Sequence, residues 1–389
     1  MKTSIKIICI LSIILLSACA GRNKQKQGAA DNIEATNKKE ITDRWTVERI
    51  TEWYNHQPWI VGCNYVPANA INQLEMWQEE TFSPELIDKE LAWAEDLGFN
   101  SLRVFLHYLP WKEDKEGFYQ RVDQFLEICQ SHNIRVMLIF FDDVWHPNPK
   151  SGKQPEPTKG VHNSGWVQCP GIEILQNLGE HEASIKAYVK ETMKRYKSDK
   201  RVLIWDLYNE PGNPNTSSYG DIELKNKETY SLALLKKAFQ WAREVNPTQP
   251  ICADVWRAGD ADLNKLDAID KFCYKNSDVI NYHAYFPLDK QKKVVAELKK
   301  SNRPLLATEY MARTANSTFE NSLPFFKENK IGAYNWGFIN GKSNTIYPWH
   351  SWQNPFEKEP KVWFHDIFRK DGTPFSTKEV ELIKSLTQN

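Results

Sequence analysis

Glu210 and Glu309 are the residues of this sequence whose surroundings most need a chemical explanation. The first ends the run Trp205-Asp206-Leu207-Tyr208-Asn209-Glu210-Pro211, and the second stands in Ala307-Thr308-Glu309-Tyr310. Both runs are apolar enough to read as buried strands. A carboxylate taken out of water loses several kcal/mol unless it is paired or hydrogen-bonded. Two carboxyl groups held roughly 5 Å apart across a sugar bond are what double displacement requires, one as acid/base and one as nucleophile.

Such a pair works only if the chain brings both runs to one place. From Trp59 onward, short β-rich runs alternate with amphipathic helices. Strands are expected at 59–65, 101–107, 135–141, 202–209, 251–256, 279–285, 305–310 and 332–338. Most are nearly continuous apolar stretches, the pattern of parallel strands covered on both faces. Ser83 and Pro84 read as the N-cap and first-turn proline of a helix with Ile87, Leu91, Ala94 and Leu97 on one face, stopped by Gly98. Further stripes lie at 118–129, 185–196 and 235–242, weaker ones at 262–273, 290–300 and 318–329, and a last one at 380–386. Eight strands with a helix after each predict an α/β chain, a single-domain (β/α)8 TIM barrel over residues 44–389. A doubly wound open sheet fits less well. The first strand runs into Asn64-Tyr65-Val66-Pro67, where that fold would place a glycine-rich phosphate loop.

In such a barrel the C-terminal strand ends share one mouth, where the chemistry is kept. Those ends carry Asn64 and Tyr65, Arg103 and His107, Asp142 and Asp143, Asn209 and Glu210, Trp256, His283 and Tyr285, Glu309, and Trp336. Two connections on the same side are long, 142–180 after strand three and 339–361 after strand eight, and loops of that length are usually functional. The first carries Trp145 and His146 and, as candidates for sugar subsites beyond the scissile bond, His162, Asn163, Ser164 and Trp166. A loop this large would narrow the cleft and favour oligosaccharides or chain ends.

The ordered set resembles the clan of retaining glycoside hydrolases built on (β/α)8 barrels, and is most similar to the cellulase-type family 5 and its relatives. The likeness rests on Asn209-Glu210-Pro211 and Thr308-Glu309-Tyr310, with Arg103, His283, Tyr285 and Trp336 in matching order. It implies Glu210 as acid/base and Glu309 as nucleophile, with Arg103 holding Glu309 ionised. It further implies Asn209 on the sugar 2-hydroxyl, Tyr285 beside the nucleophile and Trp336 as the floor of the first subsite. Asn64, His107, Asp142 and Trp166 complete the expected substrate-binding set. The sequence departs from the common pattern after strand three, where Phe140-Phe141-Asp142-Asp143 stands instead of a histidine. Asp142 or Asp143 would either contact a sugar hydroxyl or anchor the long loop. The expected activity is hydrolysis of β-linked glucan, mannan, xylan or galactoside chains. A transglycosylase would share every one of these residues, and a non-catalytic carbohydrate-binding lipoprotein would lack one carboxylate.

Composition excludes other classes. Lysine plus arginine equals aspartate plus glutamate, 50 against 50, so charge gives no sign of a nucleic-acid partner. Fifteen tryptophans suit both a sugar cleft and a core. No cysteine/histidine spacing suggests zinc, and no metal or organic cofactor is expected. Cys63, Cys129 and Cys252 lie in apolar patterns and are expected to be buried thiols. Residues 1–18 have the form of a signal segment, with Lys2 and Lys6 ahead of an apolar stretch. Leu16-Ser17-Ala18-Cys19 resembles the bacterial lipoprotein processing box, which implies lipidation of Cys19. Residues 19–43 then form a solvated tether, and the expected product is a monomer anchored to the outer membrane, facing the periplasm.

Overall fold

The computed structural model describes residues 44–388; the expected signal segment, the tether and Cys19 lie outside the described residues. Eight parallel strands form one sheet in the order β5-β4-β3-β2-β1-β8-β7-β6. They are β1 (Val61–Asn64), β2 (Ser101–Phe105), β3 (Arg135–Asp142), β4 (Val202–Asn209), β5 (Ile251–Cys252), β6 (Ile280–His283), β7 (Leu305–Tyr310) and β8 (Gly332–Asn335). The seam between β5 and β6 is closed by two bonds, Asp278 N–H to Ile251 C=O at 2.8 Å and Val255 N–H to Asn281 C=O at 2.9 Å. The fold is a (β/α)8 barrel. β5 is shorter than its apolar run suggests because its ladder with β4 ends after Asp206–Cys252.

Helices follow the apolar stripes. Pro84–Asp96 begins at Pro84 and turns out at Gly98, whose φ of +73° is open to glycine without strain. Ser83 does not cap it through the side chain, since its hydroxyl accepts from Asn69 Nδ2 at 2.7 Å. The helices Lys115–Ser131, Leu178–Tyr196, Lys227–Val245 and Thr377–Thr387 occupy the remaining strong stripes. All five described cysteines are buried free thiols. Among the described residues no helix is long and apolar enough to cross a membrane.

Period-2 alternation sorts the barrel interior into layers. At the N-terminal end Ile60, Met137, Ile204, Cys252, Leu306 and Tyr334 form an apolar floor, plugged by Trp45 and by Ile50 of the helix Val47–Asn55. At the C-terminal end Phe105, Ile139, Trp166 and Trp336 form an aromatic layer. Between them lie polar and charged groups, Asn64, Arg103, Asp206, Asp254, Asn281 and Thr308, all buried. Along β2 the sequence Ser101, Arg103, Phe105 samples the three layers in turn.

Strand register sets the neighbours within that polar layer. Asn64 pairs with Arg103, Asp142 with Asn209, and His283 with Glu309. The β7 ladders shift on both sides around Glu309, between Tyr282 and His283 and between Ala307 and Tyr310. Such irregularities re-aim a side chain next to a site.

Gly62 marks the closest approach of β1 to β2. A Cβ there would lie 1.6 Å from the Ser101 carbonyl oxygen, so the two strands would have to part. Gly62→Ala is expected to lower stability by about 1–3 kcal/mol or more, as overpacking does. Denaturant unfolding checks this, and an unchanged midpoint would contradict it.

Candidate active site

Glu210 and Glu309 come together at the C-terminal mouth. With His283 they form a group in which one ligand-type atom from each residue lies within 4.8 Å of the others. Glu210 stands one residue beyond β4 at φ +41°, a strained position for a side-chain-bearing residue that turns it out of the strand line. Its Oε1 lies 2.7 Å from His283 Nδ1, and its Oε2 accepts from Asn213 Nδ2 at 2.6 Å. Glu309 is 6% exposed. Its Oε1 accepts from Arg103 Nη1 at 3.0 Å and its Oε2 from the Tyr285 hydroxyl at 2.8 Å.

Arg103 has no exposed surface, and its guanidinium is surrounded. Nε and Nη2 donate to Asp206 Oδ2 at 3.0 and 2.8 Å, Nη2 also to Asn209 Oδ1 at 2.8 Å and Asp254 Oδ2 at 3.0 Å, and Nη1 also to Asn64 Oδ1 at 2.9 Å. Asp254 is the second hub. It receives the Glu210 backbone N–H at 3.2 Å and Thr308 Oγ1 at 3.3 Å, lies 3.3 Å from His283 Nε2, and bonds Asn281 Nδ2.

The charges answer one another. Burial raises the Glu309 pKa to about 7, against the pull of His283 and Arg103, which favour the ionised form. Burial opposes a charge on His283, but Glu309 and Asp254 outweigh it and hold the imidazole well above its usual range. Burial and Asp254 push Asp206 up to about 8. Burial also works against ionised Asp254, yet Arg103 and His283 hold it below the ordinary aspartate value.

The other sequence candidates fall into two sets. Asn209, Asp142, Trp166, His283, Tyr285 and Trp336 line the cleft with the two glutamates, in a cavity of about 490 Å³. Asn64 sits beneath it, donating to the Thr308 carbonyl at 2.8 Å. Asp142 does the anchoring, accepting from Asn209 Nδ2 at 2.9 Å and from Trp166 Nε1 at 2.7 Å, while burial lifts its pKa to about 7. Asp143 holds the loop after β4 through the Gly212 N–H at 2.6 Å and the Tyr208 hydroxyl at 2.8 Å.

His107 is not brought to the cleft. It is fully buried as the N-cap of the short helix Tyr108–Glu113, with Nε2 3.0 Å from the Gln168 carbonyl and Nδ1 accepting from Leu109 N–H at 3.1 Å. The strand ends at Phe105, two residues before it, which removes it from the inward-facing series.

Sequence reasoning missed Asp206, Asp254 and Asn213. The first two carried a signal, each being an acid inside an apolar run, the same anomaly that singled out the glutamates. Asn213 is a loop residue whose role depends on the turn after Glu210, and nothing in its neighbours points to it.

The family model for cellulase, glycosyl hydrolase family 5, matches residues 67–342. No curated protein matches the chain in sequence. Among solved structures, GH5_18 of Streptomyces cattleya in complex with GlcNAc is similar with a TM-score of 0.55 at 11% identity, over 85% of this chain and 79% of that one. The exo-β-1,4-mannosidase Op5Man5 of Opitutaceae bacterium strain TAV5 gives 0.53 at 18% identity, over 85% and 60%. A family 5 mannosidase of Rhizomucor miehei gives 0.52 at 14%, over 86% and 93%. The chain spans a third of β-glucuronidase 2 of Bacteroides uniformis, 33% of that chain, at 13% identity. At these identities the likenesses show the fold.

Asp254 faces both buried Arg103 and His283, whereas Asp206 faces Arg103 alone, so removing the charge of Asp254 leaves more of the buried positive charge under-compensated. Asp254→Asn is expected to destabilise by about 3–5 kcal/mol, the usual effect of breaking a buried pair, and Asp206→Asn by clearly less. Denaturant midpoints at pH 7 should rank wild type, then Asp206→Asn, then Asp254→Asn.

Proposed function

The chain belongs to the cellulase family, glycosyl hydrolase family 5, and is a glycoside hydrolase; from its site we propose that it cleaves β-glycosidic bonds with retention, by double displacement on two glutamates. The observation that carries this reading is the approach of the Glu210 and Glu309 carboxylates, with oxygens within 4.8 Å. Nucleophile and acid/base stand about 5–5.5 Å apart in retaining enzymes, against about 6.5–9.5 Å where a water must fit between.

Glu309 attacks the anomeric carbon. Arg103 and Tyr285 fix both its oxygens, so little reorganisation is needed as its charge passes into the new ester bond. Glu210 gives its proton to the glycosidic oxygen, and the leaving sugar departs. Glu210 then takes a proton from water, which attacks the glycosyl ester and frees Glu309. Asn209 is oriented by Arg103 on its oxygen and Asp142 on its nitrogen, which leaves one N–H for the sugar 2-hydroxyl. β-Mannosides and β-glucosides head the substrates to try, with xylo- and galacto-configured ones beside them.

Glu309→Ala should lower kcat by about 10⁴-fold or more, and azide should rescue it with inversion. Glu210→Ala should lose about 10²–10⁴-fold on natural glycosides and far less in the glycosylation of aryl glycosides with good leaving groups. Proton NMR of the first-formed anomer checks retention, and an inverted product from wild type would sink the mechanism. Because Glu309 must be ionised and burial raises its pKa towards 7, activity should fall with decreasing pH well above the ordinary glutamate value of 4.5. The pH profile of kcat/KM reads this limb.

From the likeness of Leu16-Ser17-Ala18-Cys19 to the lipoprotein processing box we also propose that a lipid on Cys19 holds the enzyme on a membrane. Cys19→Ser should move it from the membrane to the soluble fraction and abolish labelling by radioactive palmitate; unchanged labelling would contradict the anchor.

A further inference from the structure

The cleft is not open at both ends. On the β1–β2 side, beyond Trp336, three aromatic rings pack edge to face. Phe105 meets Trp166 at 5.1 Å and Trp336 at 5.9 Å, and the two tryptophans meet at 5.7 Å. Behind them remains a cavity of about 20 Å³, space for one water but not for a sugar ring.

Three loops seal this end. The loop after β3 bonds the loop after β8 through Asn163 N–H to Ser343 C=O at 2.9 Å and Phe356 N–H to Gly160 C=O at 3.0 Å. The loop after β1 joins both, Ala68 C=O accepting from Lys342 N–H at 2.9 Å and Asn72 Nδ2 donating to Gly165 C=O at 2.8 Å. Gly160, at φ +72°, allows the contact, since a Cβ there would lie 1.9 Å from Phe356 O. The cleft is lined further by Asn213, Thr216, Trp256 and Phe286, on the loops after β4, β5 and β6.

Direction follows from the chemistry. The sugar attacked by Glu309 occupies the side of Trp336, and the leaving group lies towards the acid that protonates it, Glu210. The sealed end is therefore the non-reducing end of the substrate. We infer that the enzyme is exo-acting: it removes one neutral terminal β-linked sugar from the non-reducing end of an oligosaccharide, and Asn163 reads that sugar's hydroxyls at the closed end. This rests on the proposed retaining mechanism with Glu210 as acid.

Asn163 carries the recognition. It borders both the cleft and the small cavity, is fully buried, and neither its Nδ2 nor its Oδ1 has a hydrogen-bond partner. A buried amide with a free donor and a free acceptor matches the donor–acceptor pair of adjacent sugar hydroxyls. Neutrality follows from the lining. Among the described residues that border the cleft there is no lysine or arginine, and the three carboxyls of Asp142, Glu210 and Glu309 stand against the imidazole of His283, a poor setting for a uronate.

The test uses the full-length enzyme and β-linked nitrophenyl oligosaccharides of gluco, manno, galacto and xylo type, each free or blocked at its non-reducing terminal sugar. Expected are monosaccharide as the sole first product and at least about a hundredfold loss of kcat/KM on blocking, as a steric clash at a packed wall demands. Comparable cleavage of free and blocked chains would overturn the closed end and leave the glycosidase mechanism standing. Cleavage of neither would overturn that mechanism, and the exo assignment with it. A β-glucuronide cleaved better than every neutral glycoside would overturn the neutral-sugar assignment.

Asn163→Gly keeps the φ of +46° without strain and removes no existing side-chain hydrogen bond. It should raise KM for free oligosaccharides by about tenfold, the worth of a lost sugar hydrogen bond, with its unfolding midpoint near that of wild type. An unchanged KM would overturn the role of Asn163. If the variant does not fold, the comparison of free and blocked substrates on wild type still decides the closed end.

Discussion

Arg103 carries a permanent positive charge at a point with no exposed surface, and the interior of the barrel is organised around that fact. Its donors are shared among Asn64, Asp206, Asn209, Asp254 and Glu309, contributed by four different strands or strand ends. A buried ion of this kind persists only with well-placed partners, and those partners are then fixed relative to one another. Arg103 and His283 face the carboxyls of Asp206, Asp254, Glu210 and Glu309. Glu309 is oriented by the same contacts that make the core electrically tolerable. Stability and catalytic geometry here are one problem.

The layers above and below make that arrangement possible. The apolar floor keeps water from reaching the charges from beneath, and the aromatic layer with its three loops limits access from above. A site enclosed in this way strengthens every electrostatic contact inside it, because little solvent competes for the same donors and acceptors.

Much of this was legible in the sequence because it follows from local pattern. Nearly continuous apolar runs and helical stripes of period 3.6 locate the strands and helices, and glutamates at the ends of such runs are conspicuous. His107 shows where that logic fails. It continues an apolar run, but β2 stops at Phe105, so the residue caps a helix instead of facing the cleft. Asp206 and Asp254 show a different failure. They were visible as acids in apolar segments, but their task is defined by a shared partner on β2, which no local pattern reveals. The sealed end is the least legible feature, since it depends on contacts such as Asn163 with Ser343 and Gly160 with Phe356 between loops with no sequence relation to one another.

Those loop contacts also bear on how the molecule comes into being. The bond from Arg103 to Glu309 joins residues 206 positions apart. His162 and Ser351, which join the same two loops, are 189 apart. Contacts at such separations form late, because the loop-closure entropy must be met before they contribute. A chain that has laid down its first four strands already holds Arg103 and Glu210, yet lacks Glu309 and the loop after β8. During synthesis or refolding, helix content therefore returns before hydrolytic competence, and turnover serves as a readout of barrel closure.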